Sequence, residues 1–439
     1  MALYHYNVQI TAPVKHALNS IDAEFEKHAN IQNTKRGGAS VKEALKKTKA
    51  EWNRDKAFNG YTLINIVYMS QAYLLDMTGK VVHQWDLPFR KVWPTPPHIR
   101  RPVRDDKIYF EKSHVYPNGD LLTVYMAYGD TPYGYGLVKM DKHSKVIWKY
   151  AGYAHHNFHV KEDGTITVLV HDWVKRPING LEALSYPTLA DYIVTLSPNG
   201  EELQKISLLE VFAKSSLKEM LFHAPFNRYK WDSTHANSID ILAPEMSAAF
   251  PLFAEGSMLL SLRNTNTLAI IDPKKQELTW AYNGLWKGQH SASFLDNGSI
   301  LLFDNKGYFT KNRAFSRVLE FNPTTSSINW TYTDTTKPAF YSYNRGTAQR
   351  LPNGNTLIAE SLDRRVFEVT KEGEVVWNYR LPIVYKKIEP QHPPYKPIPK
   401  NKRNDPRHYE VSQTHRNVAT VILKASRYPK DSLPFINER

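Results

Sequence analysis

The chain has 439 residues, 57 basic against 43 acidic side chains, a net charge of +14 and no cysteine. Disulfides, thiolate metal sites and thiol nucleophiles are therefore excluded. No run of about 18 apolar residues occurs, so no membrane span is expected, and the first twenty residues lack the apolar core of a signal peptide.

As it stands the sequence reads as cytoplasmic, or as periplasmic if a leader was removed. Its basic excess is uneven. Lys35 to Lys56 holds eight basic and three acidic residues, and Lys386 to Arg407 holds seven and two. These flanks supply +10 of the +14, which leaves the centre nearly neutral. Solvated surface accounts for such flanks, and no nucleic-acid partner is expected.

Residues 1–58 form the first region. Val41 to Phe58 (VKEALKKTKAEWNRDKAF) is rich in helix formers, and Ser40 with Glu43 makes a capping box. A short helical N-terminal arm is expected here. It packs on the body of the protein or on a partner subunit, which would make a homo-oligomer.

Residues 59–381 repeat one pattern six times: an apolar alternating run, a turn, and a second run that usually carries Trp. The copies are Tyr73–Trp85, Leu137–Tyr150, Ile193–Ile206, Leu268–Tyr282, Val318–Tyr332 and Val366–Tyr379. Five contain Trp, and the third has Ile206 instead. Between copies lies a second hairpin unit, as in HSASFLDNGSILLF and GTAQRLPNGNTLIA. Two hairpins per period make a four-stranded sheet that cannot bury both faces alone, so the copies must pack on one another. The fold class is all-β, a six-bladed β-propeller. Insertions are expected at 90–108, 207–233 and 240–255.

Residues 382–439 form a Pro-rich, extended C-terminal extension. Within it Asn417 to Leu423 (NVATVIL) reads as a strand. The first repeat lacks an inner strand of its own, and this late strand is expected to supply it and close the ring.

The inner units align on their turn glycines. His290 stands eight positions before Gly298, and His156 eight before Gly164. The fourth unit begins His235-Ala236-Asn237, and Arg263 follows its next strand. Strand alternation puts His235 and Asn237 on one face. Strand starts converge on the axis of a propeller, so these residues are expected to share a funnel. Arg345 either lines it or braces the YSYNRG loop. His155, His156 and His159 have a metal-like spacing, but no carboxylate lies among them and alternation splits His156 from His159, so no metal is expected. His114 and His159 read as structural. Neutral His, Asn and Arg without a nearby acid suit an anionic, oxygen-rich group such as sulfuryl or phosphoryl. The aromatic stretches 125–135 and 338–343, with Tyr133 and Tyr341, either wall a flat ring held in the funnel or simply pack the rim.

Six segments in this order resemble the bacterial PAPS-independent aryl sulfotransferases. They are HHNFHVKEDG (155–164), THANS (234–238) with SLRN (261–264), GQHSASFLDNGSILLFDN (288–305), FSRVLEF (315–321) and FYS (340–342). The resemblance spans roughly 60–381. It implies transfer of a sulfuryl group from an aryl sulfate to a phenol through a sulfated histidine, with no cofactor and no metal. It makes His290 the nucleophile, gives His235, Asn237 and Arg263 sulfate binding and acid–base work, and makes His156 the remaining funnel histidine. Some members carry a disulfide close upstream of the nucleophile, and this chain has no cysteine. Two other readings stay open: a lyase or hydrolase acting on another anion in the same funnel, and a non-catalytic scaffold using the rim and basic flanks.

Overall fold

The computed structural model describes residues 41–100, 102–127, 129–222, 231–306, 315–336, 339–388, 416–419 and 421–437. Ser40 of the expected capping box, and most of the Pro-rich stretch, lie outside them. Among the described residues no helix is long and apolar enough to cross a membrane.

Six antiparallel sheets are arranged as a six-bladed propeller. Blade 1 runs outward from Ile422–Pro429 through Gly60–Ile66 and Gln71–Leu75 to Val81–Asp86. Blade 2 comprises Tyr109–Val115, Leu121–Met126, Gly134–Met140 and Val146–Tyr150. Blade 3 comprises Ala154–Val160, Ile166–Val174, Thr188–Leu196 and Glu202–Ser207. Blade 4 comprises Ala236–Ile241, Met258–Leu262, Thr267–Asp272 and Glu277–Asn283. Blade 5 comprises His290–Phe294, Ile300–Asp304, Arg317–Asn322 and Ser327–Tyr332. Blade 6 comprises Thr347–Arg350, Thr356–Glu360, Arg365–Val369 and Val375–Arg380.

The middle strands of each blade are covered on both faces, and so they read as continuous apolar runs. Met258–Leu262 and Thr267–Asp272 are buried throughout, whereas the outer strand Glu277–Asn283 is half open to water. The cores lie between blades: Phe294, Ile300 and Leu302 of blade 5 pack on Leu259 and Ile270 of blade 4.

The repeated Trp has a physical task. In four of the five the indole N–H donates to a turn carbonyl of the next blade. Trp85 reaches Gly119 (3.0 Å), Trp148 reaches Pro198 (3.0 Å), and Trp330 reaches Lys371 (2.7 Å). Trp377 of blade 6 reaches Met77 of blade 1 (2.9 Å) and so closes the circle. Gly200 turns beneath Trp148 with φ +85°, and a Cβ there would lie 2.6 Å from the indole. Backbone conformation and the ring above it both require glycine.

Two local expectations need correction. The helix of the arm covers only Val41–Lys47. Glu51–Trp52 then adds a fifth strand to blade 6, pairing with Asn378 and Trp377. The N–H groups of Ala50 and Asn53 go to Thr78 and Val376, each at 2.8 Å. The open edge of blade 6 and a turn of blade 1 thus supply bonds that a longer helix would have made internally. The described arm packs on its own propeller, with Ala44 and Leu45 buried and Leu45 set among Ile64, Tyr73 and Trp377.

The strand that pairs with Gly60–Ile66 is Ile422–Pro429, not Asn417–Leu423. Arg416–Ala419 instead pairs with Tyr385–Ile388 in a small two-stranded antiparallel sheet. The closing strand carries Arg427, whose guanidinium bonds to Thr62 (2.7 Å), pairs with Glu368 of blade 6 (3.4 Å) and lies over Trp377 (4.7 Å).

Candidate active site

Tight turns follow the first and third strands of a blade, so they gather at one end of the propeller. The starts of first strands and the ends of second strands gather at the other. Four blades enter their inner strand there through a non-glycine residue of positive φ: His156 (51°), His235 (48°), Ser291 (56°) and Arg345 (63°). Such conformations cost free energy and persist where surrounding contacts enforce them. The ladders of three of these strands shift register at the same place: between Val168 and Val170, between Ala236 and Ser238, and between His290 and Ser293. A bulge re-aims the side chains at a strand start.

This geometry overturns the shared face inferred for His235 and Asn237, because strict alternation does not hold through a left-handed residue and a bulge. Asn237 is fully buried, and its amide donates to the Gln289 carbonyl at 2.8 Å. It braces the peptide just before His290. His235 is half-buried and holds Asp232 Oδ2 at 2.6 Å from its Nδ1. The expectation that no acid stands near the histidines is therefore also corrected.

His290 is buried, and its Nδ1 lies 2.9 Å from the Gly288 carbonyl and 2.7 Å from Asn305 Oδ1. A carbonyl only accepts, so Nδ1 carries the proton. Asn305 agrees, since its amide nitrogen donates to the carbonyls of Ser342 and Arg345, both at 2.6 Å, which leaves its oxygen facing the ring. The lone pair is thus on Nε2, which receives a 3.2 Å bond from the Arg345 N–H. Burial first, then the Arg263 guanidinium, holds His290 well below the ordinary imidazole range. Arg263 is tied to His235 by its own N–H, which donates to the His235 carbonyl at 3.2 Å.

His156 and His235 meet with ring centroids 5.2 Å apart. Tyr133 stands edge-on to both at 4.9 Å, with its hydroxyl 3.3 Å from His235 Nδ1. Burial, followed by the fields of His155 and His235, holds His156 well below its usual range. His290, His235, His156, Arg263 and Tyr133 are therefore gathered at one end. Tyr341 gives its N–H to Glu360 at 2.8 Å, and its ring neighbours Tyr343 at 6.4 Å. Among the described residues it makes no ring contact with the three histidines.

Behind His156 lies a buried group that the sequence did not reveal. His155 Nδ1 is 2.7 Å from His156 Nδ1, and His155 Nε2 is 3.3 Å from Asp191 Oδ1. Asp191 Oδ2 accepts from Thr234 Oγ1 (2.6 Å) and the Ala236 N–H (2.8 Å), the residues flanking His235. His171 pairs across the ladder with Asp191 and stacks on His155 at 4.3 Å. One possible ligand atom each of His155, His171 and Asp191 fits within 4.8 Å of the others, a spacing that could hold a metal. Burial holds His171 neutral. Its Nε2 lies 2.8 Å from Thr131 Oγ1 and 3.2 Å from the Gly134 nitrogen, and among the described residues its Nδ1 has no hydrogen-bond partner.

His159 is paired with Asp240 at 2.8 Å, and burial with nearby Lys112 pushes His114 down to about 4. Beneath the histidines the axis holds a cavity of about 310 Å³, lined by Asn157 and Ser291, the residues after His156 and His290, with Lys112 and Lys424. Of the residues that sequence reasoning missed, His155 and Asn305 stood inside the quoted motifs. Asp191 and Asp232 gave no signal.

Among curated proteins none matches the chain. A protein of unknown function from Bacteroides caccae is 14% identical over 73% of this chain and 94% of its own, with a TM-score of 0.47. Virginiamycin B lyase from Staphylococcus aureus is 9% identical over 75% and 87%, with a TM-score of 0.41. The Dos1 propeller is 10% identical over 77% and 76%, with a TM-score of 0.39. At these values the likenesses carry no inference about chemistry. The family model for arylsulfotransferase (ASST) matches residues 112–381, from the first strand of blade 2 to the end of blade 6. The chain is a member of the arylsulfotransferase family.

Proposed function

We propose that this protein moves a sulfuryl group from an aryl sulfate donor to a phenolic acceptor through a sulfated His290, with neither nucleotide nor metal. One observation carries the reading: the Gly288 carbonyl and Asn305 leave the His290 lone pair on Nε2, in a ring that burial and Arg263 keep neutral. A neutral imidazole nitrogen is a competent nucleophile for sulfur.

In the first half-reaction Nε2 bonds to sulfur, the S–O bond to the aryl group breaks, and the phenolate takes a proton from His156 or His235. Arg263 balances charge on the sulfuryl oxygens. Asn237 serves by fixing the His290 peptide rather than by touching the sulfuryl group. In the second half-reaction the acceptor phenol gives up its proton and takes the sulfuryl group from Nε2. Tyr133, and Tyr341 in the blade 5–6 connection, offer aromatic surface to the acceptor ring.

The test is a rapid-quench experiment with 4-nitrophenyl sulfate and a panel of phenols. Nitrophenol release in a burst, with one sulfuryl mass on the peptide bearing His290, is the expected result. His290→Ala abolishes both, with kcat falling on the order of 10⁴-fold or more. Turnover with no adduct would instead favour a hydrolase or lyase.

A further inference from the structure

The acid in that reaction poses a physical problem. A basic phenolate needs a proton as it leaves, yet His156 is held neutral by burial and by cationic neighbours, Lys424 among them. A neutral imidazole can still deliver a proton if it is resupplied from behind at the same moment. His156 has such a neighbour in His155, with the two Nδ1 atoms 2.7 Å apart, and His155 has a carboxylate behind it.

Resting on the sulfuryl-transfer reading, we propose that Asp191, His155 and His156 form a buried proton relay that serves the leaving and attacking phenols. At rest the proton pair sits on His155, with Nε2–H toward Asp191 and Nδ1–H toward His156. His156 then accepts at Nδ1 and presents Nε2–H to the funnel. As the S–O bond breaks, Nε2–H passes to the phenolate oxygen while the His155 Nδ1 proton moves to His156 Nδ1. His155 becomes neutral, and the phenol leaves with one proton. When the acceptor phenol attacks, its proton enters at His156 Nε2 and the Nδ1 proton returns to His155. Protons and charge balance over the cycle, and no co-reactant is needed.

The surroundings fit this assignment. Burial alone would raise the Asp191 carboxyl, but the His155 ring 3.3 Å away and the bonds from Thr234 and Ala236 more than offset it, so the group stays ionised. His171, stacked on His155, is held neutral and adds no second positive charge. His235 is occupied differently. Its Nδ1 is bound to Asp232, its carbonyl holds Arg263, and Tyr133 packs on it, which suits a fixed partner of the sulfuryl oxygens. Asp191 is a positioning residue for both His155 and His235, because its other oxygen holds the Thr234 hydroxyl and the Ala236 N–H on either side of His235.

The test compares aryl sulfates whose phenols range from acidic (4-nitrophenol) to basic (unsubstituted phenol), in single-turnover release. Asp191→Asn keeps an acceptor for Thr234 and Ala236 but removes the charge. His155→Gln keeps a polar side chain but cannot relay a proton. Each is expected to slow release of basic phenols by about 10²- to 10³-fold, and of 4-nitrophenol by less than about tenfold, because a good leaving group needs little acid. An equal loss for all donors would mean that the residues only hold the fold, and no loss for any donor would return the acid role to His235. Either outcome overturns the relay. Should the variants not fold, a proton inventory on the unaltered protein decides. Release of phenol must show two protons in flight, and a linear inventory overturns the relay. Failure of the unaltered protein to release any phenol overturns the sulfuryl-transfer reading itself, and the relay with it.

Discussion

At the seam between blades 6 and 1, Arg427 is enclosed with Glu368, bonded to Thr62, and stacked over Trp377. At the funnel, Arg263 and three histidines of blades 3 to 5 stand with Lys424 of blade 1, and several buried polar atoms, such as Asn237 Oδ1 and Gln289 Oε1, have no hydrogen bond among the described residues. The seam uses a matched charge to join the two ends of the chain. The funnel keeps cations and strained backbone close to one another, a state that is costly until an anion arrives. Buried charge thus stabilises one region and prepares the other for chemistry.

The largest effect that would sharpen this contrast is at the seam. Arg427→Met leaves Glu368 buried without its partner and should cost about 3–5 kcal/mol of stability, read as a lower urea midpoint. If the midpoint stays within error of the unaltered protein, the seam is held by Trp377 and packing alone.

Next comes Arg263→Gln at the funnel. Loss of a group that stabilises the transferred oxyanion should lower the rate of donor cleavage about 10²-fold. The same change lifts a positive charge from His290, so its pKa rises and the acid limb of donor cleavage moves to higher pH. The sign follows from burial and Arg263 both favouring the neutral ring. Stability carries the same signature. His290, His156 and His171 are held neutral when folded, whereas their unfolded forms titrate near 6.5. Their contribution is complete above that pH and is lost as acid protonates the unfolded rings, because the unfolded state then binds more protons. A stability profile flat from pH 7 down to pH 4 would contradict the buried neutral histidines.

The smallest effect belongs to the inter-blade bonds. Trp330→Phe removes the 2.7 Å bond to Lys371 and leaves a half-exposed ring in place. About 1 kcal/mol is expected from a hydrogen bond of this kind. A loss several times larger, measured by thermal unfolding, would show that these bonds and not the faces between blades hold the ring.

Much of the funnel was legible because the repeat supplies a common ruler. Counting back from Gly298 and Gly164 put His290 and His156 at equivalent positions, and the blades deliver them to one end. Alternation failed one step further on, at His235 and Asn237, since a positive φ and a bulge are not written in residue order. The arm was misjudged for a related reason. Helix propensity at Glu51–Trp52 is weak beside the open edge of blade 6, and that edge exists only once the blade is built.

By itself the sequence determined the six blades, the Trp-bearing outer strands, the register of His156 and His290, and the family. These are local or periodic properties, set by turn chemistry and by alternation that each blade repeats. The tertiary structure alone decided that Ile422–Pro429 closes blade 1, that Asn305 and Gly288 leave the lone pair of His290 on Nε2, and that Asp191 stands behind His155. Those contacts join strands of one blade that lie far apart along the chain, or residues displaced by bulges. Their partners are separated by between two and several hundred positions along the chain, and no local preference specifies which pairs will meet.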